Sequence, residues 1–421
     1  MIILGLGSNQ GHRFGHLSRA LASLASQGFH SLRVAPIYET EAWLPPGAPA
    51  SWDQPYLNTA VSVETEFSPE ACLAQLKAIE RQLGRDMNAP RWAPRVIDLD
   101  ILCWHEQRIN TAELTIPHPG LFERPFALAP AAFLGLSGVS EVPQKGWLRM
   151  HAPYTQLVGI LNLTPDSFSD GGLWDRPDLA LGHLDALRQA GASVIDIGAQ
   201  STRPGAVLLS AEEEWERLKP VLSGLSRLPG RDQVLISIDT YHSMVAQRAI
   251  AEFGVDWIND VSGGADPNLL KVVADSSASL VLMHSLGIPP TRDQVLSAES
   301  SATAQCLPWA EQKLSNLAKL GLAAERIVLD PGLGFGKTAA QSLDLIQGLD
   351  QWRALGCRLL VGHSRKSFMN DFSTAPFSER DPETLGVSVH LLQKKVDYIR
   401  VHEVALHQRV LAAYYAVAGP F

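Results

Sequence analysis

The feature that most constrains the fold is a regular series of short apolar segments in the second part of the chain. Eight of them follow one another, and a longer amphipathic stretch separates each from the next. They are residues 157–163, 193–199, 234–240, 256–263, 280–284, 327–332, 358–364 and 398–404. Strands that alternate with helices in this number and rhythm predict an α/β TIM (β/α)8 barrel. A doubly wound open sheet is the alternative, but eight evenly spaced units favour closure.

The first part of the chain has a less regular pattern. Strand-like stretches at 1–7, 57–66 and 96–104 are mixed with helix-like stretches. The helix-like stretches are residues 16–26 and 68–84. Ser68 precedes a proline and an acidic residue, which is typical of a helix start with a hydroxyl cap. Few strands joined through helices and hairpins predict an α+β domain.

A segment without sustained periodicity separates the two patterns. We therefore expect a domain at 1–138, a linker at 139–153 and the barrel at 154–421.

The net charge of −9 argues against a nucleic-acid partner, which would require a broad basic surface. Because no apolar run reaches about 18 residues, we expect no membrane partner. The four cysteines are far apart, which favours reduced thiols in the cytoplasm over a zinc site or disulfides.

Polar residues stand at the ends of nearly all the predicted barrel strands. One such residue is usually a turn or a cap, but the carboxyl ends of barrel strands converge at one mouth. Asp239, Asn259 and Asp330 would bring acceptors and an amide there, which suits the donor-rich edge of a heterocycle. Lys366 and Arg400 follow strands seven and eight, where this fold frequently binds phosphate. The residue types therefore predict a polar heterocycle that carries phosphate.

Seven segments of this part resemble, in order, the motifs of dihydropteroate synthases. They are GILNLTPDSFSDGG, STRPG, SIDTY, INDVSGG, DPGLGFGK, SRKS and RVH. The resemblance implies that the barrel condenses 6-hydroxymethyl-7,8-dihydropterin diphosphate with 4-aminobenzoate and releases diphosphate. Two departures concern loop details: Gln200 stands where the family has an acid, and residues 284–287 differ from the commoner sequence.

Residues 330–338 also suggest a nucleotide loop, but that pattern requires glycine at Pro331, so we interpret them as a flexible loop.

The resemblance also implies a role for each matching residue. The residues expected to hold the pterin are Asp239, Asn259, Met283, Asp330, Phe335 and Lys366. The residues expected at the diphosphate are Arg400, His402 and Asn162, and Asn162 would also bind one Mg²⁺ ion. The residues expected around 4-aminobenzoate are Thr202, Arg203, Pro204 and Ser367. Lys366 and Arg400 would be the catalytic residues of this half.

In the first part, Asp98 and Asp100 stand two residues apart in a predicted strand. Alternate residues of a strand share a face, so both carboxylates point the same way. They would repel each other unless a cation lies between them, and Mg²⁺ commonly binds one or two carboxylates together with phosphates and water. Four arginines and one acid occupy residues 81–95. Acids for a metal beside arginines for phosphate indicate phosphoryl transfer, and a solvated strand face is the alternative.

Four segments of the first part resemble, in order, 6-hydroxymethyl-7,8-dihydropterin pyrophosphokinases. They are GLGSNQG, DQPYLNTAV, GRDMNAPRWAPRVIDLDI and IPHPGLFERPF. The resemblance implies a ferredoxin-like α+β fold and diphosphate transfer from the substrate ATP to the pterin hydroxymethyl group. It also implies that Asp98 and Asp100 hold two Mg²⁺ ions, while Arg85 and Arg95 engage the phosphates as further catalytic residues. The residues expected at ATP are Arg85, Thr115, His118 and Arg124, and those expected at the pterin are Tyr56, Asn58, Trp92 and Phe126.

The two resemblances support each other, because the first reaction makes the substrate of the second. Together they imply a bifunctional enzyme of folate biosynthesis whose partners are small molecules: ATP, hydroxymethyldihydropterin and 4-aminobenzoate. Barrels of this family are commonly dimeric, so we expect a homodimer formed through the barrel. Two alternatives remain at this point: a pterin-binding module without condensation activity, as in corrinoid-dependent methyltransferases, or a chain with one degenerate half.

Overall fold

The computed structural model describes residues 1–136, 148–150, 155–163, 177–200, 208–228, 230–291 and 293–418. The chain divides into two units, one formed by residues 1–153 together with 411–421 and the other by residues 154–410. Within the described residues, no helix is long and apolar enough to span a bilayer.

The described part of the first unit is an α+β domain, as predicted. Its strands are β1 (Ile2–Ser8), β2 (His30–Val34), β3 (Ile37–Thr40), β4 (Tyr56–Glu64), β5 (Asp98–Trp104), β6 (Ile109–Asn110), β7 (Thr115–Ile116) and β8 (Leu148–Met150). Its helices are α1 (Arg13–Ser26), α2 (Pro69–Gln82) and α3 (Pro125–Phe133). The antiparallel sheet has the order β5–β1–β4–β3–β8, with β2 beside β4, and β6 pairs with β7 in a separate ribbon. Strand β8 lies in the segment that the sequence analysis assigned to the linker.

Helix α2 packs on strand β5 and begins where the sequence predicts. The Ser68 hydroxyl accepts a hydrogen bond from the backbone N–H of Ala71 at 3.2 Å, so the predicted cap is confirmed. Cys72, Leu76 and Ile79 are buried, because residues three and four apart share one face of a helix. This burial places the polar C-terminal end of α2 beside the start of β5.

Helix α3 packs on the sheet face that also carries Asp100. Ala131 of this helix belongs to a buried cluster with Ile3, Ala60 and Leu102. Helix α3 and strands β2 and β3 were not among the predicted elements. The helix covers the apolar part of this sheet face, and the polar part of the face begins at Asp100.

The described part of the second unit forms a closed barrel of eight parallel strands, which confirms the predicted TIM barrel. The strands are β9 (Gln156–Asn162), β10 (Val194–Gly198), β11 (Leu235–Asp239), β12 (Trp257–Asp260), β13 (Ser279–Met283), β14 (Ile327–Asp330), β15 (Arg358–Gly362) and β16 (Tyr398–Val401). The helices are α4 (Pro177–Gln189), α5 (Ala211–Gly224), α6 (Ser243–Phe253), α7 (Pro267–Ala274), α8 (Ala302–Lys319), α9 (Ala339–Gln347), α10 (Leu349–Arg353), α11 (Asp381–Gln393) and α12 (Val404–Ala418), whose residues from Leu411 onward are counted with the first unit. Each strand contains or overlaps one of the eight predicted segments.

An apolar layer fills the amino-terminal end of the barrel interior. Its members are Val158, Val194, Trp257, Val281, Val328, Leu360 and Tyr398. Side chains two residues further along a strand point to the same face, so a second layer lies above the first. That second layer includes Asp196, Asn259, Met283, Asp330, Gly362 and Arg400. The interior therefore changes from apolar to polar toward the carboxyl ends of the strands, where this fold places its chemistry.

Candidate functional site

In the first unit, strand β5 presents Asp98 and Asp100 on one face, as predicted. The Asp98 carboxylate contacts the guanidinium of Arg85, and one of its oxygens lies 3.2 Å from Arg95 Nη1. The Lys77 ammonium lies 3.8 Å from a carboxylate oxygen of Asp100. The structure thus brings together both predicted metal ligands and both predicted phosphate-binding arginines.

The two carboxylates lie in opposite electrostatic environments. Burial alone would raise the pKa of Asp98, but Arg95 and Arg85 outweigh it, so the pKa is lowered. Burial and repulsion by Asp98 raise the pKa of Asp100 to about 7, and Lys77 offsets only part of this. The charge of Lys77 thus does not balance the Asp100 carboxylate, and a divalent ion fits beside it.

The donor set also indicates what would complete the shell of such an ion. Within the described residues, no group of three or more His, Cys, Asp or Glu side chains is arranged to hold a metal. A cation at Asp98 and Asp100 would therefore need phosphate oxygens and water as further ligands. That is the usual environment of Mg²⁺ in phosphoryl-transfer sites.

Glu80, which was not among the predicted site residues, contacts the basic residues that surround this pair. Its side chain is fully buried on helix α2. Its Oε1 atom accepts hydrogen bonds from Arg85, from Lys77 at 2.9 Å and from the backbone N–H of Leu99 at 2.7 Å. Glu80 thereby fixes Arg85 next to Asp98. The available signal was an acid adjacent to the apolar face of an amphipathic helix.

Strand β4 places two of the predicted pterin residues beside this pair. Asn58 and Asp98 both pair with Gly7 of strand β1, on opposite sides of it. A Cβ atom on Gly7 would lie 3.1 Å from Asn58 Oδ1 and 3.5 Å from a ring carbon of Tyr56. Glycine at this position lets both side chains approach the strand closely. Asn58 Nδ2 also donates to the Thr40 hydroxyl at 2.8 Å, which fixes the orientation of its amide.

Three further predicted residues of the first site lie on either side of β5 in the sequence: Trp92 before it, and Arg124 and Phe126 after it. The guanidinium carbons of Arg91 and Arg124 lie 5.3 and 5.4 Å from the ring centre of Trp92, so a predicted ATP residue contacts a predicted pterin residue. Phe126 packs edge-on against Trp43 at 6.2 Å between ring centres, and Trp43 is a second residue that the sequence analysis missed. Its aromatic ring in a proline-rich stretch was the available signal.

Of the two other predicted ATP residues, Thr115 lies in the ribbon of β6 and β7 and His118 follows it. Thr115 pairs with Asn110 across this ribbon. His118 Nδ1 accepts a hydrogen bond from the backbone N–H of Gly120 at 3.0 Å. Burial, followed by repulsion from Arg124, lowers the pKa of His118, so its ring is neutral near pH 7.

In the barrel, the polar layer is organised around the buried carboxylate of Asp196. Arg400 Nη1 donates to Asp196 at 2.6 Å, and Asn259 Nδ2 donates to the same oxygen at 2.9 Å. The Ser237 hydroxyl donates to the other oxygen at 2.6 Å. Arg400 Nη1 also lies 3.5 Å from an oxygen of Asp239. Asp196 was not among the predicted site residues, although an acid inside an apolar barrel strand was a usable signal.

Burial raises the pKa of two of the predicted acceptors. Burial and the charge of Asp196 raise the pKa of Asp239 to about 7, against the lowering effect of Arg400. Burial also raises the pKa of Asp330, and Lys366 opposes that shift. Asp330 Oδ1 accepts a hydrogen bond from the N–H of Gly332 at 2.8 Å. Asp239 can therefore exchange a proton with a ligand near neutral pH.

Three of the predicted groups converge above Gly362. A Cβ atom there would lie 3.6 Å from Arg400 Nε, 3.7 Å from Lys366 Nζ and 3.8 Å from Asp330 Oδ2. Lys366 Nζ donates to the carbonyl oxygen of Leu333 at 2.8 Å. Burial lowers the pKa of Lys366 to about 7, and Asp330 counteracts this. Two basic groups and one acceptor thus border the same space above Gly362.

An apolar wall stands beside these polar groups. Val261, Met283 and Phe335 form a buried cluster, with Tyr241 and Ile288 packed against it. The Lys366 ammonium lies 4.9 Å above the centre of the Phe335 ring. A flat heterocycle that packs on this wall would meet the acceptors of the polar layer along its edge.

The loops after β15 and β16 carry the remaining cationic groups. The Ser364 hydroxyl lies 2.9 Å from His402 Nδ1, which orients that ring. Arg365 does not serve the site, because its guanidinium pairs with Asp381 at 2.8 Å and with Glu403 at 2.9 Å. Ser367 is exposed and begins the short helical turn that follows Lys366.

Asn162 ends strand β9 and neighbours the same space. A Cβ atom on Gly198 would lie 3.6 Å from Asn162 Oδ1 and 3.7 Å from Asp239 Oδ2. Two oxygens facing one gap suit a hard cation such as Mg²⁺. Thr202, Arg203 and Pro204, the residues predicted at 4-aminobenzoate, lie outside the described residues.

Gln200, the departure noted in the sequence, uses both ends of its amide. Its Nε2 donates to Glu214 at 2.9 Å, while its Oε1 accepts from the Tyr241 hydroxyl at 3.2 Å and from the N–H of Leu209 at 3.3 Å. Glu214 is fully buried, and burial raises its pKa to about 8. A glutamine can donate to this carboxyl group in either protonation state, whereas a second acid would need a proton to do so.

Fold and sites together define an enzyme with two phosphate-handling active sites, one on each unit. Residues 3–135 match the model of the 7,8-dihydro-6-hydroxymethylpterin-pyrophosphokinase family, and residues 158–402 match that of the pterin binding enzymes. The chain belongs to the folate synthesis bifunctional proteins. It is a bifunctional transferase that combines a pterin pyrophosphokinase with a dihydropteroate synthase.

Curated and solved relatives show the extent of the match. The folate synthesis bifunctional protein of Chlamydia caviae is 39% identical to this chain. The match covers 98% of this chain and 97% of the Chlamydia caviae protein. That of Chlamydia trachomatis is 40% identical, over 100% and 98%. The dihydropteroate synthase of Anaplasma phagocytophilum, solved with 6-hydroxymethylpterin-monophosphate, is 36% identical with a TM-score of 0.57, over 63% of this chain and 99% of its own. These matches support the synthase interpretation of the barrel over the methyltransferase-like alternative.

Proposed function

We propose that the residues assembled in each unit carry out the two steps in turn on the same pterin. In the first unit, Asp98 and Asp100 would hold two Mg²⁺ ions against the phosphates of ATP. When bound, Mg²⁺ neutralises phosphate charge and aligns the transferred group. The raised pKa of Asp100, which burial and Asp98 cause, supports this assignment because an added cation would relieve it.

The arginines of this site would bind the transferred diphosphate. Arg85 is held by Glu80 and Asp98, and Arg95 lies on the other side of the same carboxylate. Both guanidinium groups therefore border the place where the phosphates would sit, and bidentate donors suit phosphate oxygens. We assign the nucleotide to Thr115, His118 and Arg124. We assign the pterin to Tyr56, Asn58, Trp92 and Phe126.

In the barrel, the pterin would lie against Met283 and Phe335, with its donor-rich edge toward the polar layer. Asp239, Asn259 and Asp330 would accept its N–H groups, and Lys366 would donate to it. The observation that carries this proposal is the convergence of Arg400, Lys366 and Asp330 on the space above Gly362. A pterin methylene placed there would have cations on one side for its diphosphate and an acceptor on the other.

The condensation then breaks one bond and forms another. The bond between the methylene carbon and the diphosphate oxygen breaks, and the diphosphate leaves with the electron pair. The amine of 4-aminobenzoate attacks the methylene carbon and loses one proton. Arg400, His402 and the Mg²⁺ site at Asn162 would stabilise the leaving charge. Thr202, Arg203, Pro204 and Ser367 would bind the aminobenzoate.

Replacement of Arg400 by glutamine tests this assignment. We expect kcat/KM for pterin diphosphate in the condensation step to fall about 100-fold, because a preorganised cation at the leaving group is lost. Arg365→Gln is the matched control. Arg365 also lies at the carboxyl end of a barrel strand, but its guanidinium forms ion pairs with Asp381 and Glu403. Equal losses in the two variants would contradict the role given to Arg400.

A homodimer formed through the barrel and a cytoplasmic location remain predictions from the family resemblance. Light scattering of the purified chain checks the oligomeric state. Fractionation of the native cells checks the location.

A further inference from the structure

Lys337 ends the glycine-rich loop after strand β14, and its side chain is buried. The residue is 6% exposed. Its ammonium donates to the carbonyl oxygen of Phe335 at 2.8 Å, to that of His284 at 3.1 Å and to His284 Nδ1 at 2.9 Å. Three acceptors match the three donors of an ammonium group. The loop that the sequence suggested to be flexible is therefore bonded to its neighbour through Lys337.

These contacts hold an uncommon buried charge. In the part of the chain that the structure describes, no carboxylate forms an ion pair with Lys337. Burial lowers its pKa to about 8, and the neighbouring His284 has its pKa lowered to about 3 by burial and by Lys337. The histidine is therefore neutral and can accept at Nδ1. A buried ammonium without a counter-ion costs stability, which polar contacts only partly offset.

The bonded carbonyls belong to the segments that carry Met283 and Phe335, two residues of the apolar wall of the pterin site. His284 follows Met283 directly, and Phe335 carries the second carbonyl. The loops approach so closely that a Cβ atom on Gly332 would lie 2.0 Å from the His284 carbonyl oxygen. Lys366 lies over the Phe335 ring on the side of the site. Phe335 is thus held at its ring by one lysine and at its backbone by the other.

We propose that Lys337 is a positioning residue for the pterin. Its ammonium fixes the loops after β13 and β14 so that Met283 and Phe335 form one wall. The inference rests on the proposed function, because that function places the pterin on these two side chains. Lys337 itself does not reach the pterin: its three donors are directed at protein acceptors. Its effect is therefore on the binding of the pterin and not on the attack by the amine.

The test compares Lys337→Met with Lys313→Met in the full-length enzyme, assayed with pterin diphosphate and 4-aminobenzoate. Lys313 is the matched control, because its ammonium also donates to a loop carbonyl, that of Gly264, at 3.0 Å. We expect Lys337→Met to raise the KM for pterin diphosphate about tenfold, with kcat and the KM for 4-aminobenzoate within about twofold of the original enzyme. Lys313→Met should leave all three constants unchanged. An unchanged KM for pterin diphosphate in folded Lys337→Met overturns the proposal. An equal fall of kcat/KM for pterin diphosphate and for 4-aminobenzoate also overturns it.

Lys337→Gln keeps the test decisive if Lys337→Met does not fold. Glutamine is one atom shorter, so it cannot reach all three acceptors, and a KM increase of about threefold is expected. An unchanged KM in Lys337→Gln overturns the proposal. Met283→Ala separates this outcome from a failure of the proposed function. If Met283→Ala leaves the KM for pterin diphosphate unchanged, the pterin does not lie on this wall. If Met283→Ala raises that KM and the Lys337 variants do not, only the role of Lys337 is wrong.

Discussion

Replacement of Asp100 by asparagine tests whether the carboxylate pair of the first site is built for a cation. Burial and Asp98 raise the pKa of Asp100 from 3.8 to about 7. Because its folded pKa lies above the unfolded value, Asp100 binds a proton on folding. Its destabilising effect is absent below about pH 4, grows as the pH rises, and is complete above about pH 7.

The size of this effect follows from the shift and from the exposure of the side chain. A shift of this size corresponds to about 4 kcal/mol in full burial. The Asp100 side chain is 38% exposed, so solvent screens a large part of that energy. We therefore expect Asp100→Asn to stabilise the metal-free first unit by about 1–2 kcal/mol at pH 8 and by about 0 at pH 4.

Hydrogen exchange of peptides from strands β1 and β5 measures this stability within the intact chain. At pH 8 without Mg²⁺, Asp100→Asn should protect these strands more than the original residue does. Mg²⁺ with a non-hydrolysable ATP analogue should then protect the original protein strongly and the variant weakly. Equal protection of both proteins without Mg²⁺, or equal gain from Mg²⁺, would refute the reasoning.

Three further predictions concern residues around the two sites. Glu80→Gln should lower the pyrophosphokinase kcat about tenfold, because Arg85 loses its charged support, while the condensation rate stays constant; a steady-state assay of each half-reaction checks this. Lys366→Arg should move the alkaline fall of the condensation rate to higher pH, since Lys366 loses its charge near pH 7 whereas arginine keeps it; identical pH profiles would exclude Lys366 as the group that titrates. Gln200→Glu should lower the melting temperature of the barrel more at pH 8 than at pH 6, because the new acid would face Glu214 in a buried position; calorimetry at the two pH values decides the sign.

The elements that the sequence predicted are those whose burial leaves a periodic trace. Barrel strands such as β10 are buried along their whole length and therefore appear as apolar runs, and α2 shows a clear helical spacing. Strand β2 has one buried residue and no alternation. Helix α3 is apolar on all sides and contains Pro130, so it has no amphipathic pattern. These elements depend on tertiary contacts for their formation.

The candidate sites divide in a similar way. Asp98, Asp100, Lys366 and Arg400 follow from position, because strand alternation and strand ends dictate where their side chains go. Glu80 and Asp196 do not, since each acts through partners distant in the sequence: Glu80 through Leu99, and Asp196 through Arg400. Only packing reveals that an acid next to an apolar face supports an active site.

The central claim is that two independent active sites on this chain act in sequence. The direct measurement is dihydropteroate formation from ATP, 6-hydroxymethyl-7,8-dihydropterin and 4-aminobenzoate by Asp98→Ala, by Lys366→Ala and by an equal mixture of both variants. Each variant alone should form no product, because one step is missing. The mixture should regain activity, because the intact barrel of Asp98→Ala can use the pterin diphosphate that the intact first unit of Lys366→Ala makes. Product formation by Asp98→Ala alone, or an inactive mixture of two folded variants, would contradict the claim.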